Sequence, residues 1–270
     1  MSEGPEHRSG IVSLLTDFGV RDTYVGQVKA VILGIASSAR LVDLTHDVPP
    51  QDVVEGAFHL AAAWQAFPRG TVHLAVVDPG VGTARRPVAL EWRGHLFVVP
   101  DNGLISFVLG DRSPDRLVVL DRPRYHRPNV SSTFHGRDLF GPVAAYLASR
   151  LPLQEVGAAA DPTSLARLDF PSLRRDPDAV RAPVVSIDHF GNCRTLIRRE
   201  DIPWPLEHVW VRCGQAIVRG IVDTYGSVPE TRTLALFGSY GGLEVAVRSG
   251  SAARAWDIRR GSVVAVSPGT

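Results

Sequence analysis

Residues 76–86 read Val-Val-Asp-Pro-Gly-Val-Gly-Thr-Ala-Arg-Arg and bring a carboxylate, bare backbone N–H groups and two guanidinium groups to one short stretch. The apolar run 71–77 that leads into it has the pattern of a buried parallel strand. Asp78 then stands at the carboxyl end, where open α/β sheets form their ligand crevice. Pro79, Gly80 and Gly82 impose an irregular loop, because proline fixes φ and glycine permits φ > 0. Arg85 and Arg86 close that loop with cations able to fold back on Asp78. A tight turn with an Asp cap and solvated arginines would look the same in isolation. Asp17 and Asp188 also follow apolar runs, however, and His46, His135 and Asn192 lie in turns.

Two chemistries suit such a set. Asp and His clusters hold divalent ions, but no H-x-H or H-E-x-x-H spacing appears, and no metal is expected. The alternative is a nucleoside pocket. A carboxylate can accept hydrogen bonds from two ribose hydroxyls, and an Asn amide can meet an adenine edge with one donor and one acceptor. A Phe face can stack on a purine. Phe190-Gly191-Asn192 offers the ring and the amide two residues apart. Phe190 as ordinary core packing is the plain alternative. The stretch 237–247 adds Gly238, Gly241 and Gly242, which allow close backbone approach, with Ser239 and Tyr240 in the same turn. Alone, it reads as a hairpin turn with an exposed Tyr.

The elements that must position these residues follow from periodicity. A strand over 11–15, a helix over 24–36 capped by Asp22 or Thr23, a strand over 41–44, a helix over 51–67 and the strand over 71–77 give a β-α-β-α-β order. That order predicts a doubly wound, mostly parallel α/β sheet. A hairpin over 87–99, a short helix over 104–109, a strand over 116–120 and a helix over 139–151 capped by Asp138 complete an N-terminal domain, 11–160. Residues 161–182 lose periodicity and read as a linker. From 183 to 270, short β-type runs separated by turn residues predict an all-β, barrel-like C-terminal domain. Residues 1–10 are polar and read as a disordered tail rather than a secretory signal.

Composition agrees with a soluble enzyme-sized chain. The 270 residues are 44% hydrophobic and 21% charged with a net charge of +1, which gives no electrostatic case for nucleic acid or an anionic membrane. No apolar run approaches the ~18 residues of a membrane span. Two cysteines, Cys193 and Cys213, read as free cytosolic thiols rather than a zinc site.

Seven motifs, taken together, resemble a known family: T-D-F-G-x-x-D-x-Y-V-G (16–26), D-x-T-H-D-V-P-P (43–50), V-V-D-P-G-V-G-T-x-R-R, P-D-N-G-L (100–104), F-H-G-R-D (134–138), F-G-N (190–192) and G-S-Y-G-G-L-E (238–244). They look like the S-adenosyl-L-methionine hydroxide adenosyltransferases, also called S-adenosylmethionine hydrolases, relatives of the fluorinase and chlorinase. The resemblance implies an N-terminal α/β domain, a C-terminal β-barrel, and a homotrimer with sites at subunit interfaces; the expected location is cytoplasmic. It implies cleavage of S-adenosylmethionine by water to adenosine and methionine, with no cofactor. The water-activating trio would be Asp78, Arg85 and His135. Asp17 would hold the ribose, Asn192 and Phe190 the adenine, and Asp188 and Ser239 the methionine part. Glu244 and Val247 would line the pocket near the base. Tyr240 stands where the halogenases resemble one another in using Arg for the methionine carboxylate.

The chemistry is consistent. A sulfonium leaves as a neutral thioether, so the departing group needs neither acid nor Lewis acid. A His taking the proton from water is worth about 10² to 10⁴-fold. Two rivals stand beside this expectation: a halogenase making 5′-halo-5′-deoxyadenosine, and a nucleoside-binding module without turnover. A desolvated halide would be repelled by a carboxylate such as Asp78.

Overall fold

The computed structural model describes residues 8–170 and 173–269. Most of the expected tail lies outside the described residues; within it, Ser9 N–H already pairs with Gly70 O at 3.2 Å. The chain divides between Leu168 and Asp169.

The N-terminal unit is a seven-stranded sheet in the order β2-β1-β3-β5-β4-β6-β7. Its strands are β1 (Ile11–Thr16), β2 (Arg40–Thr45), β3 (Val72–Val76), β4 (Pro87–Trp92), β5 (His95–Pro100), β6 (Arg116–Val119) and β7 (Ala158–Ala159). Alternation along the strands sorts side chains to two faces. Leu14, Leu74, Val76 and Val98 face α1 (Tyr24–Ile35) and α4 (Gly141–Ala148). Leu15, Ala75, Val77 and Phe97 face α2 (Val53–Ala63) and α3 (Ser106–Leu109). Helices thus cover both faces.

The sheet is mixed rather than mostly parallel. β2, β1, β3 and β5 pair parallel, whereas β5, β4, β6 and β7 pair antiparallel. The cause is the two-residue turn Arg93-Gly94, with φ of 50° and 79°. Two positive φ values match a hairpin turn, which folds β5 back on β4.

The C-terminal unit is all antiparallel in its named sheets, and the expected barrel is not closed. One sheet orders β10 (Ser186–Ile187), β11 (Cys193–Arg198), β15 (Gly242–Val247) and β14 (Thr233–Phe237). The other orders β13 (Ala216–Arg219), β12 (Val209–Cys213), β16 (Val263–Pro268), β9 (Ala179–Pro183) and β8 (Arg174–Asp176). They share one core of alternating residues, among them Val211, Val266, Ile197 and Val245. β10 and β8 are edge strands of two and three residues, too short to carry a ladder from one sheet to the other.

The segment expected as a linker is structured where described. Ala166 N–H donates to Asp101 at 2.8 Å, and Leu165 is buried. Further on, β8 and β9 pair with each other. Prolines at 162, 171 and 177 interrupt the periodicity that would have revealed these elements.

Candidate active site

In the N-terminal unit, a cleft of about 290 Å³ opens at the carboxyl ends of the parallel strands, lined by Asp17, Gln51, Asp78, Val81, Phe134 and His135 among others. β1 delivers Asp17 and β3 delivers Asp78. Gly82, at φ 76°, lets the loop after Asp78 lie against residue 132: a Cβ there would stand 2.5 Å from Ser132 O. Asn102 of the P-D-N-G turn donates to Val77 O at 2.8 Å and so braces the strand end beneath Asp78.

The two neighbouring arginines separate cleanly. Arg85 Nε donates to both Asp78 oxygens at 3.0 Å, and its Nη2 donates to Oδ2 as well. The same Nη2 lies 2.8 Å from His135 Nδ1. The guanidinium packs over the Phe140 ring at 5.1 Å. Arg86 turns away to Asp101 (2.8 Å from Nε) and to Ser164 O (2.7 Å). Asp78, Arg85 and His135 are therefore in one contact chain.

That chain has a definite polarity. A guanidinium carries donors only, so His135 Nδ1 accepts and the neutral ring bears its proton on Nε2. A ring in this state donates; it takes a proton only if Arg85 leaves Nδ1. Burial, and next the Arg85 charge, push the His135 pKa below the ordinary 6.5, against the raising influence of Asp78 and Asp138. The neutral ring is the favoured form at neutral pH.

Asp17 Oδ2 accepts Gln51 N–H at 2.8 Å. Gln51 holds a left-handed φ of 67°, a conformation that persists in non-glycine residues where surroundings over-determine it. Burial raises the Asp17 pKa and nearby Asp78 adds to it, while the Gln51 N–H lowers it. Behind Asp17, Thr16 Oγ1 accepts Phe18 N–H at 3.2 Å and meets His46 Nδ1 at 2.8 Å. His46 Nε2 lies 3.1 Å from Asp43, which Lys29 also contacts at 2.6 Å. His46 braces the loop rather than facing the cleft. Asp138, expected as a helix cap, makes no such bond. It is buried, paired with Arg127 and Arg137, and accepts Ser131 N–H at 2.9 Å. The polypeptide between His135 and α4 runs as a π-turn, Gly136–Phe140, and the Asp138 pairs pin it in place. Thr23 likewise makes no side-chain cap bond to α1.

The C-terminal unit holds a larger cavity of about 810 Å³, lined by Asp188, Phe190, Asn192, Tyr225, Ser239, Tyr240, Glu244 and Val247 among others. Asp188 Oδ1 accepts Phe190 N–H (3.0 Å) and Asn192 N–H (2.9 Å). Gly191, at φ 86°, completes the turn. Phe190 is 72% exposed, so it is not core packing; its ring meets the neighbouring His189 ring edge-on at 5.7 Å. Tyr240 is only partly exposed. Its hydroxyl donates to Leu243 O at 3.1 Å and accepts Thr195 N–H at 3.3 Å, so the hydroxyl supports β11 and β15 while the ring lines the cavity. Ser239 is exposed. Glu244, opposite Arg194 across the β11–β15 ladder, is 3% exposed. Burial raises its pKa and Asp188 adds to this, although a hydrogen bond from Tyr225 lowers it.

Family models for the SAM hydroxide adenosyltransferase N-terminal domain and C-terminal domain match residues 12–157 and 182–265. The chain belongs to the SAM hydroxide adenosyltransferase family. A Salinispora tropica protein named (R)-S-adenosyl-L-methionine hydrolase is 40% identical over 259 residues, 96% of this chain and 98% of its own. The solved structure of an uncharacterized conserved protein from Thermotoga maritima superposes with a TM-score of 0.88 at 33% identity, covering 95% of this chain and 99% of that one. A fluorinase from an Actinoplanes species is more distant, 29% identical over 223 residues, 73% of this chain and 75% of its own.

For a hydroxide adenosyltransferase, two further residues stand out that the motifs did not flag. Gln51 holds Asp17 through its backbone, a contact invisible to side-chain reasoning. Tyr225 donates to Glu244 and lies 3.3 Å from Asn192. Its only sequence signal is an aromatic in a Thr-Tyr-Gly turn. Among the described residues, no group of three or more His, Cys, Asp or Glu side chains is arranged to hold a metal ion, and no helix is long and apolar enough to cross a membrane.

Proposed function

We propose that this chain hydrolyses S-adenosyl-L-methionine, in its (R)-sulfonium form, to adenosine and L-methionine. The observation that carries the reading is the Asp78–Arg85–His135 chain at the strand end, in the same cleft as Asp17. Water attacks C5′ in line with sulfur. The C5′–O bond forms as the C5′–S bond breaks, the bonding pair stays on sulfur, and the sulfonium becomes a neutral thioether. One proton leaves the water. In the polarity that the Arg85 contact dictates, His135 donates from Nε2 and orients the oxygen, and Asp78 retains lone pairs beyond those facing Arg85. We assign proton uptake to Asp78 and water orientation to His135, which reverses the role expected for the ring. Arg85 stabilises the developing negative charge on oxygen.

Asp17 fits the ribose hydroxyls, Phe190 and Asn192 the base, and Asp188 and Ser239 the methionine part, with Glu244 and Val247 walling the pocket. The reaction is proposed to be metal-independent because the leaving group needs no Lewis acid. The finer architectural expectations, a homotrimer with sites at subunit interfaces and a barrel-like C-terminal domain, belong to the same proposal. A cytoplasmic location fits the two buried free thiols, Cys193 and Cys213.

Purified protein is incubated with each sulfonium epimer, with and without chloride and with EDTA, and products are separated chromatographically. Adenosine and methionine in equal amounts, from the (R) epimer and unaffected by EDTA or chloride, are expected. A 5′-chloro nucleoside would indicate halogenation, and binding without product would indicate a recognition module.

A further inference from the structure

In the C-terminal cavity every polar hydrogen on one path is committed in a single direction. Asp188 Oδ2 is a carboxylate oxygen, so the Asn192 atom 3.0 Å away is the amide nitrogen. The second amide hydrogen of Asn192 points to Tyr225 Oη at 3.3 Å. Tyr225 has one hydroxyl proton, and it goes to Glu244 Oε1. The phenol oxygen therefore has only lone pairs to offer Asn192. The amide is held between two acceptors, and its oxygen is left over. Among the described residues Asn192 Oδ1 accepts no hydrogen bond, although the side chain lines the cavity and the residue is 5% exposed. An amide so held presents one acceptor, not the donor and acceptor pair that its type alone would suggest.

We propose that Tyr225, anchored by Glu244, is a positioning residue that fixes the amide of Asn192 with its oxygen toward the ligand, and so selects a 6-amino purine over a 6-oxo purine. The inference rests on the reading that this cavity takes the base of the substrate. An exocyclic amine supplies the donor that Oδ1 lacks. A 6-oxo purine places a second acceptor against it and leaves both without a partner, which is worth about 10 to 100-fold in binding. Tyr225 is 41% exposed, so its ring is not core packing and loss of its hydroxyl leaves the fold intact. Without that hydroxyl, Asp188 still holds the amide nitrogen, but the second amide hydrogen is released from Tyr225 and can be donated to a 6-oxo group.

The test is calorimetric binding of adenosine and inosine to the full chain and to two variants, with SAM turnover measured alongside. Wild type is expected to prefer adenosine at least about tenfold. Tyr225→Phe should cut that preference to about threefold or less, the residual being shape alone, raise KM and leave kcat within a few-fold, with the protein still folded and Tm lowered by several degrees at most, about the cost of one buried acceptor left without its donor. Glu244→Gln keeps an acceptor for the phenol and should keep the preference. A Tyr225→Phe protein that discriminates like wild type overturns this inference and leaves the assignment of the cavity to the base standing. A wild type that binds neither nucleoside overturns that assignment, and this inference with it.

Discussion

The two cavities of this molecule are built on opposite plans. In the N-terminal cleft the polar groups are centred on a charge pair, Asp78 with Arg85, and Arg85 also meets the neutral His135 ring. In the C-terminal cavity the facing groups form a hydrogen-bonded path of amide, phenol and carboxyl, beside an exposed aromatic ring. The first arrangement holds charge ready for a reaction in which charge moves. The second fixes donor and acceptor directions, which is what discrimination between similar ligands requires. On the proposed function, water activation falls to the first cavity and recognition of the base to the second, and substitutions in the two places should fail in different ways.

The largest effect should come from Asp78→Asn. Asparagine cannot take the proton or balance Arg85, and kcat should fall about 10³-fold, with adenosine affinity within a few-fold of wild type. Single-turnover rates check this, and a near wild-type rate removes Asp78 from the mechanism. His135 comes next and sharpens the question of polarity. His135→Ala should lower kcat about 10²-fold. His135→Gln keeps a donor but cannot be protonated, and should retain more activity than the alanine variant while losing the acid limb of the pH profile. Because burial and Arg85 push this pKa below 6.5, the neutral working form persists below pH 6.5 in wild type, and activity declines only at more acid pH. A profile falling above 6.5 would contradict that sign.

Across the comparison, Phe190→Ala should raise KM about tenfold through lost stacking and leave kcat nearly unchanged; a kcat defect instead would place Phe190 in the chemistry. A smaller effect lies outside both cavities. His73 is fully buried against Ser13, His95 and Phe97, and burial, with a further push from His95, takes its pKa down to about 3. The unfolded chain then binds a proton below pH 6.5 that the folded chain does not. Its contribution is present above pH 6.5 and is lost as pH falls toward 3, by at most about 1.4 kcal/mol per pH unit. Urea unfolding at pH 7 and pH 5 measures this, and His73→Phe should flatten the slope without touching KM.

The N-terminal cleft was largely readable in the sequence because its key pair is local. Asp78 and Arg85 are joined by one glycine-rich loop, and the strand before them has an unmistakable apolar run. His135 lies fifty positions on, and only the motif pattern connected it. Its tautomer was out of reach, because it depends on which guanidinium nitrogen meets which ring nitrogen. The order of strands was half readable. Alternating strands and helices fixed the parallel half, but nothing in the Arg93-Gly94 turn says on which side of β5 its partner will lie. Asp138 looked like a cap because an acid before a helix usually is one; two of its three partners, Arg127 and Ser131, precede it in an unpatterned loop, and the third, Arg137, is its neighbour. In the C-terminal unit, the link from Tyr225 to Glu244 depends on a turn reaching across strand register, which leaves no periodic trace. Tyr240 was misleading for the same reason: its hydroxyl finds backbone groups of β11 and β15 that the sequence does not place nearby.

Water attack at C5′ under the control of the Asp78 chain can be followed atom by atom. The most direct measurement is turnover in ¹⁸O-labelled water, wild type beside Asp78→Asn, with mass analysis of both products. Wild type should place one ¹⁸O in the 5′-hydroxyl of adenosine and none in methionine, and Asp78→Asn should yield negligible labelled adenosine despite retained nucleoside binding. Unlabelled adenosine from wild type, or labelled adenosine formed at the wild-type rate by Asp78→Asn, would contradict it.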